Sequence, residues 1–329
     1  MRALVYEGVE ALSLRDLPDR VAVDGEVLVR VRSSGICGSD MHAYFGHDDR
    51  RPAPLILGHE ASGVIESGPR AGQRVTVNPL VVDPNSPSSL DKRENLDPGR
   101  EIISMPPRQG AFAELIAVPE RNLVDVPDNV PFEKAALAEP LACGWHAVRL
   151  AFEKCNVIPA EASCLVLGGG AIGFGSALAL QAFGAQKIKL VEPNKARREN
   201  LANHCNFELL SDGSQARESS FDVIIDGVGY PSTRAAACAL VKPGGTIAHI
   251  GLGSAEGGID VRRLTLQEIT FFGTYTYTKS DFEATAEAIF NGSLGALDWP
   301  DLRPLDHGVQ AFKDLKNGSV SAPKIILQI

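Results

Sequence analysis

A cysteine, a histidine and a glutamate stand close together early in the chain, in Cys37-Gly38-Ser39-Asp40-Met41-His42 and Gly58-His59-Glu60-Ala61-Ser62-Gly63. Thiolate, imidazole and carboxylate are all good zinc ligands, so the two segments point to a catalytic metal. Farther on, Gly168-Gly169-Gly170-Ala171-Ile172-Gly173 lies between an apolar segment, Cys164 to Leu167, and an Ala-rich one running from Phe174 to Phe183. Strand, glycine-rich turn and helix in that order are where a dinucleotide's pyrophosphate rests on a helix N-terminus. The missing Cβ atoms of Gly168, Gly170 and Gly173 let backbone amides approach the phosphates and let the helix pack closely on the sheet. Glu192 ends the next strand, about 20 residues beyond, where it would accept hydrogen bonds from ribose hydroxyls and repel a 2′-phosphate. NAD is the expected cofactor, although Lys195, Arg197 and Arg198 leave some room for the phosphorylated form. Ala171 and Ile172 are counted in the same site, and Gly227, Val228 and Gly251, at the ends of later strands, are expected to complete it.

The elements that must hold these groups are of two kinds. Up to about Val77 the chain reads as β-rich, with period-two alternation in Glu26 to Arg32, Gly63 to Glu66 and Arg74 to Val77. From about Cys143 strands and helices alternate. Lys187 to Val191, Phe221 to Asp226 and Thr246 to Gly251 are short apolar strands, and Gly184 caps the helix after the glycine turn. A parallel, doubly wound sheet follows from that order. Between Pro79 and Arg108 a polar stretch rich in Pro, Asp and Ser makes an excursion from the β lobe, and after Thr278 a helix, Asp281 to Asn291, precedes a short tail that returns to the first lobe.

With 329 residues, two domains are expected. Lys and Arg number 32 against 41 Asp and Glu, a net charge of −9, and no basic run interleaved with aromatics is present. Nucleic acid and anionic membrane are therefore poor partners, and a small-molecule substrate is the better one. No apolar stretch reaches membrane-spanning length and no signal-like N-terminus is visible, so a soluble, cytoplasmic chain is expected. The six cysteines include no C-x-x-C pair and read as free thiols, with Cys37 alone in metal-like company.

Gly58-His59-Glu60-x-x-Gly63, the cysteine turn Gly35 to Asp40 and Glu139-Pro140-Leu141 together resemble the zinc-dependent medium-chain dehydrogenases, most closely the sorbitol and polyol branch, over essentially the whole chain. The resemblance implies a Rossmann domain over 143–279 and a β-rich, GroES-like catalytic domain over 1–142 and 280–329. It implies one catalytic zinc surrounded by Cys37, His59, Glu60 and Glu139, with either glutamate a direct ligand and the other acting through water. A zinc held by three protein groups leaves a position open to a substrate hydroxyl, whose proton is then lost near neutral pH before hydride passes to the nicotinamide. By the same resemblance Ser39 takes that proton and His42 releases it at the surface, and Asp40 orients the His59 ring. Tyr44 and Phe112 match pocket-wall positions, Tyr277 matches the tyrosine of an Arg-Tyr pair near the metal-site water and substrate, and a homo-oligomer, dimer or tetramer, is implied.

Two departures matter. Where such enzymes often carry four cysteines around a structural zinc, this chain has Asp83, Ser86, Ser89 and Asp97. Two carboxylates and two hydroxyls are poor tetrahedral zinc ligands, so that lobe is expected to be metal-free and, without a covering neighbour, mobile. Thr276 stands where sorbitol dehydrogenases have an arginine, which argues against sorbitol itself. The resulting expectation is NAD-linked oxidation of a secondary alcohol, in a polyol or sugar acid, to the ketone. A threonine-type 3-hydroxy amino-acid dehydrogenase and, in a different class, a zinc-free quinone reductase-like or non-catalytic cofactor-binding protein remain as alternatives.

Overall fold

A computed structural model describes the chain from Met1 to Ile329. The N-terminal β lobe is built on the long strand Glu26–Gly35, which pairs with Glu60–Ile65, with Leu115–Pro119 and with the C-terminal strand Ile325–Gln328, all antiparallel. Arg74–Val77 and Leu123–Asp125 extend this sheet on one side and Asp301–Pro304 on the other. Along Glu26–Gly35 the expected alternation holds at first, with Val29 and Val31 inward and Arg30 and Arg32 outward. It breaks at a register shift between Val31 and Ser33, after which Ser33, Ser34 and Gly35 are all buried. A bulge of this kind re-aims a strand end, and this end leads directly into Cys37.

The second sheet has six parallel strands in the order Glu208–Leu210, Lys187–Val191, Ser163–Leu167, Phe221–Asp226, Val241–His249, Thr270–Gly273. Its central strands Ser163–Leu167 and Phe221–Asp226 are mainly apolar, with runs such as Leu165 to Leu167 and Val223 to Ile225, because helices cover both faces. The chain reverses direction across the sheet between Ser163–Leu167 and Phe221–Asp226, and ligands bind at the carboxyl ends of strands at such a point. This is the doubly wound arrangement expected from the sequence. The helix Ala171–Ala182 is buried almost all round, as its Ala- and Leu-rich sequence requires.

Two helices join the lobes. Ala138–Lys154, with Pro140 tolerated in its first turn, packs beneath the parallel sheet through Leu141, Ala147, Val148 and Ala151. Lys279–Phe290 packs in the same core through Phe282, Ala286 and Ile289, followed by Leu294, Leu297 and Trp299. Residues 280–300, grouped with the catalytic domain from sequence, thus lie against the cofactor-side core, and the chain re-enters the first sheet at Asp301–Pro304. No helix is long and apolar enough to cross a membrane.

Candidate metal centre and cofactor turn

Cys37 caps the short helix Gly38–Tyr44 at the end of the long strand. Asp40, fully buried in that helix, accepts hydrogen bonds from the Cys37 amide at 2.9 Å and from the Gly58 amide at 3.0 Å, so one carboxylate ties the two motif segments together. Gly58 has φ +88°, and a Cβ there would lie 2.6 Å from the Phe112 ring. That left-handed turn delivers His59 and then Glu60, which opens its strand opposite Gly35. Glycine is required at 35 as well, because a Cβ would stand 1.9 Å from Glu60 Oε2.

The ligand atoms of Cys37, His59 and Glu60 all lie within 4.8 Å of one another. Glu60 Oε2 is buried without a hydrogen-bond partner, an arrangement that costs free energy unless something else occupies its lone pairs. Sulfur, nitrogen and oxygen donors within reach of one ion, with a carboxylate oxygen left over, fit zinc. Burial alone would lower the His59 pKa, but Asp40 and then Cys37 outweigh it and hold the ring well above the ordinary histidine value. Asp40 Oδ1 is 3.6 Å from His59 Nδ1, while Ser104 Oγ is nearer, at 3.3 Å. Ring orientation, expected from Asp40, is thus shared with Ser104.

Glu139, in the first turn of the Ala138–Lys154 helix, is buried beside this trio and accepts a hydrogen bond from the Tyr277 hydroxyl at 2.9 Å. Burial pushes its carboxyl up to about 7; His59 partly offsets the rise, and Glu60 adds to it. One turn on, burial raises the Cys143 thiol well above its ordinary value.

Three side chains that sequence reasoning passed over belong here. Lys324 Nζ donates to Glu60 Oε1 at 2.6 Å and to the Ile36 carbonyl at 2.9 Å. Arg51, almost fully buried, donates to the carbonyls of Ser104 and Ser39 and to Asp48, and its Nη2 is 3.5 Å from Ser39 Oγ. Arg51 and Ser104 form the wall around His59 and Ser39, and Lys324 closes on Glu60. The one available signal was the charge of Lys324 and Arg51 in otherwise apolar or turn-like surroundings, which does not say where the chain brings them; Ser104 carried none.

Ser39 is half-buried beside Cys37, and His42 is exposed in the last turn of the same helix. The two aromatics matched to pocket walls, Tyr44 and Phe112, are placed differently from Tyr277. Tyr44 packs 5.3 Å from Phe312 and Phe112 lies edge-on to the same ring, so both fill the core of the first lobe rather than line a pocket. Tyr277 is buried, with its hydroxyl committed to Glu139.

The lobe that begins at Asp83 is closed at its base by the strand pair Leu80–Val81 and Glu101–Ile102. Ser89 Oγ donates to the Asp83 carbonyl at 2.7 Å, Ser86 Oγ lies 3.1 Å from Ser89 Oγ, and hydrogen bonds from Ser86 and the Gly99 amide hold the Asp97 carboxyl below its ordinary value. Hydrogen bonds thus link the positions where a metal would otherwise cross-link the loop.

The glycine turn fits a dinucleotide. Gly168 has φ +100°, a Cβ on Gly173 would lie 1.9 Å from the Gly168 carbonyl oxygen, and a Cβ on Gly170 would meet nothing within 4 Å. The turn is therefore packed tightly on its inner side and open on the other. No side chain caps the helix that starts at Ala171, which leaves its first amides for an anion. Glu192 is buried at the end of the neighbouring strand and accepts from the Gly169 and Asn194 amides at 2.9 and 2.7 Å. A Cβ on Gly227 would lie 3.1 Å from Gly173, and one on Gly251 2.1 Å from Val228, so all the residues expected around the turn converge. The Glu139 helix packs on the glycine-turn helix just as closely: a Cβ on Gly144 would be 2.8 Å from Ser176. That contact fixes the metal centre relative to the cofactor turn.

Residues 23–128 match the alcohol dehydrogenase GroES-like domain family, and residues 171–291 match the zinc-binding dehydrogenase family. The chain is 30% identical over 297 residues to the L-galactonate-5-dehydrogenase of Escherichia coli, covering 86% of this chain and 84% of that one. It is 26% identical over 351 residues to the D-xylulose reductase of Saccharomyces cerevisiae, covering 99% and 97%. Galactitol-1-phosphate dehydrogenase from Escherichia coli, at 22% identity, has the same fold over the full length of both chains, with a TM-score of 0.88. The chain belongs to the zinc-binding alcohol dehydrogenase family. It is an oxidoreductase acting on a small-molecule substrate.

Proposed function

We propose that the chain oxidises a secondary alcohol of a polyol or sugar acid to the ketone, with zinc held by Cys37, His59 and Glu60 and with NAD as hydride acceptor. The observation that carries this reading is the single cluster of donors within 4.8 Å, tied through the Glu139 helix to an open glycine turn. Zinc there would supply a Lewis acid that makes a substrate hydroxyl acidic, and NAD would supply the acceptor for its hydride.

The chain's own residues do the rest. Ser39 Oγ accepts the hydroxyl proton as it gives up its own through the cofactor ribose towards His42, which lies one turn along the same helix, is exposed, and releases a proton to solvent. Glu139, held by Tyr277, faces the centre from the cofactor side and orients the groups bound beside Glu60. Amides of Ala171, Ile172 and Gly173 hold the pyrophosphate, and Glu192, already fixed by two backbone amides, accepts ribose hydroxyls and disfavours a 2′-phosphate. The lobe from Asp83 to Asp97 carries no metal. The names of the relatives, a reductase of D-xylulose and a dehydrogenase of L-galactonate, support the substrate class.

A homo-oligomer is part of this reading. Thr270–Gly273 is an unpaired sheet edge, and Leu252, Ile259 and Phe271 around it line an open cavity of about 570 Å³. Leu252, Val261 and Leu266 are exposed nearby, so a second copy would cover an edge that otherwise invites non-specific pairing. Six free cysteines suit a reducing, cytoplasmic setting.

The test is a panel containing xylitol, sorbitol, galactitol, L-galactonate and L-threonine, each with NAD and with NADP, followed by nicotinamide absorbance on zinc-loaded protein. Turnover of a polyol or aldonate is expected. Turnover of threonine alone, or of nothing, overturns the substrate class.

A further inference from the structure

The segment from Tyr275 to Lys279 lies between the metal centre and the lobe, and two consecutive lobe residues hold it. Asn95, itself 3% exposed, donates from Nδ2 to the Tyr275 carbonyl at 2.7 Å. Glu94 Oε1 accepts from the Lys279 amide at 2.5 Å. The Arg100 guanidinium sits 4.9 Å over the Tyr275 ring. These contacts span 180 and 185 residues and join the excursion of the β lobe to the segment leaving the parallel sheet.

Between the held points the backbone is under tension. Thr276 has φ +46°, a left-handed conformation that a β-branched residue adopts at a cost and keeps only where its surroundings impose it. Its hydroxyl is buried without a partner, so no local hydrogen bond rewards that geometry. The next residue is Tyr277, whose hydroxyl reaches Glu139 Oε1.

We infer that Asn95 and Glu94 are positioning residues: the lobe clamps the segment 275–279 so that Tyr277 holds Glu139 at the metal centre. Release of either clamp lets Thr276 relax toward an ordinary backbone conformation and carries the Tyr277 hydroxyl away from the carboxylate. Tyr277 follows Thr276 directly, and the Tyr275 carbonyl is the preceding fixed point. The lobe thereby has a part in the reaction that does not depend on a metal of its own. The inference rests on the assignment of Glu139 to the catalytic centre.

Two variants release the clamp from opposite sides. Asn95→Asp removes the N–H donor at constant size. Lys279→Pro removes the amide that Glu94 accepts, at the first position of a helix, where proline is well tolerated and where Thr278 already has the extended backbone a following proline needs. Each is made in the full-length protein alone and combined with Tyr277→Phe. Two quantities are read: kcat and KM on the best substrate of the panel, and the visible d–d absorption of the cobalt-substituted protein.

Each clamp variant is expected to lower kcat about tenfold, with KM for NAD nearly unchanged, and to shift the cobalt bands in the direction Tyr277→Phe shifts them. In the Tyr277→Phe background neither is expected to add anything, because the clamp acts through that hydroxyl. Effects that multiply in the double variants, or clamp variants with the parent's cobalt spectrum and kcat, overturn the inference. Glu139→Ala separates the two levels of the account. If it abolishes turnover while the clamp variants are silent, the clamp alone falls; if it is fully active with an unchanged cobalt spectrum, the placement of Glu139 falls and the clamp with it.

Discussion

Lys324 and Glu60 form an enclosed ion pair, Nζ to Oε1 2.6 Å, that joins the C-terminal strand to the residue following His59. The two are 264 positions apart and meet because Ile325–Gln328 pairs with the end of the long strand, opposite Gly35. Burial would lower the lysine pKa, but Glu60 and Cys37 outweigh it and raise it, so the ammonium stays charged throughout the neutral range. It neutralises one oxygen of Glu60 and leaves the other free for a cation.

Removing one partner of such a pair strands the other charge. Lys324→Met should destabilise the zinc-stripped protein by about 3 kcal/mol or more. The loss should be smaller in the zinc-loaded protein, where a dication beside Glu60 partly replaces the missing charge. Chemical unfolding with and without chelator measures both, and equal losses in the two forms would count against Glu60 as a ligand.

Much of the centre was legible because its chemistry is local in sequence. Cys37 and Asp40 share one turn, Gly58 to Glu60 another, and the glycine turn is a contiguous run between a strand and a helix. What was hidden depends on contacts across the fold. Nothing near Lys324 in sequence signals that its strand ends on Glu60, and Arg51 reads as a surface residue among other charges until the loop buries it. Tyr44 and Phe112 show the converse limit: an aromatic beside a motif suits a pocket wall or a core equally, and Phe312, which makes them core, lies far along the chain. The helix Lys279–Phe290 was visible, but its partner was not, since its apolar face would suit either lobe.

Glu192 is fixed by the Gly169 and Asn194 amides, so its charge is held at the mouth of the cofactor turn. Arg197 Nη1 is 3.9 Å from it and would be released to meet a phosphate if the carboxylate were removed. Glu192→Ala should therefore narrow the preference for NAD over NADP by about tenfold or more in kcat/KM, through loss for NAD and gain for NADP. A higher kcat/KM with NADP in the unmodified enzyme would contradict this assignment of the carboxylate.

Asp281 joins the two linking helices, meeting His146 at 2.6 Å, Arg149 at 2.7 Å and the Thr278 hydroxyl at 2.6 Å. Burial would raise its carboxyl, but His146, Arg149 and Thr278 outweigh it and hold it well below the ordinary range. A carboxyl depressed in the folded state stabilises above its unfolded value, near 4, and that stabilisation is lost as pH falls through the folded value. Asp281→Asn should cost about 3 kcal/mol near neutral pH, and its difference from the parent should shrink steadily below about pH 4. Urea unfolding across that range measures it, and a difference independent of pH would contradict the electrostatic account.

The central claim is that alcohol oxidation depends on a zinc held by Cys37, His59 and Glu60, separate from the dinucleotide turn. Metal analysis of Cys37→Ser alongside the parent, with turnover and NADH binding measured on the same samples, tests it most directly. The parent should carry one zinc per chain and none in the lobe from Asp83 to Asp97. The variant should lose that zinc and its turnover together while binding NADH nearly as tightly as before. Full turnover by a demonstrably zinc-free Cys37→Ser protein would contradict the account.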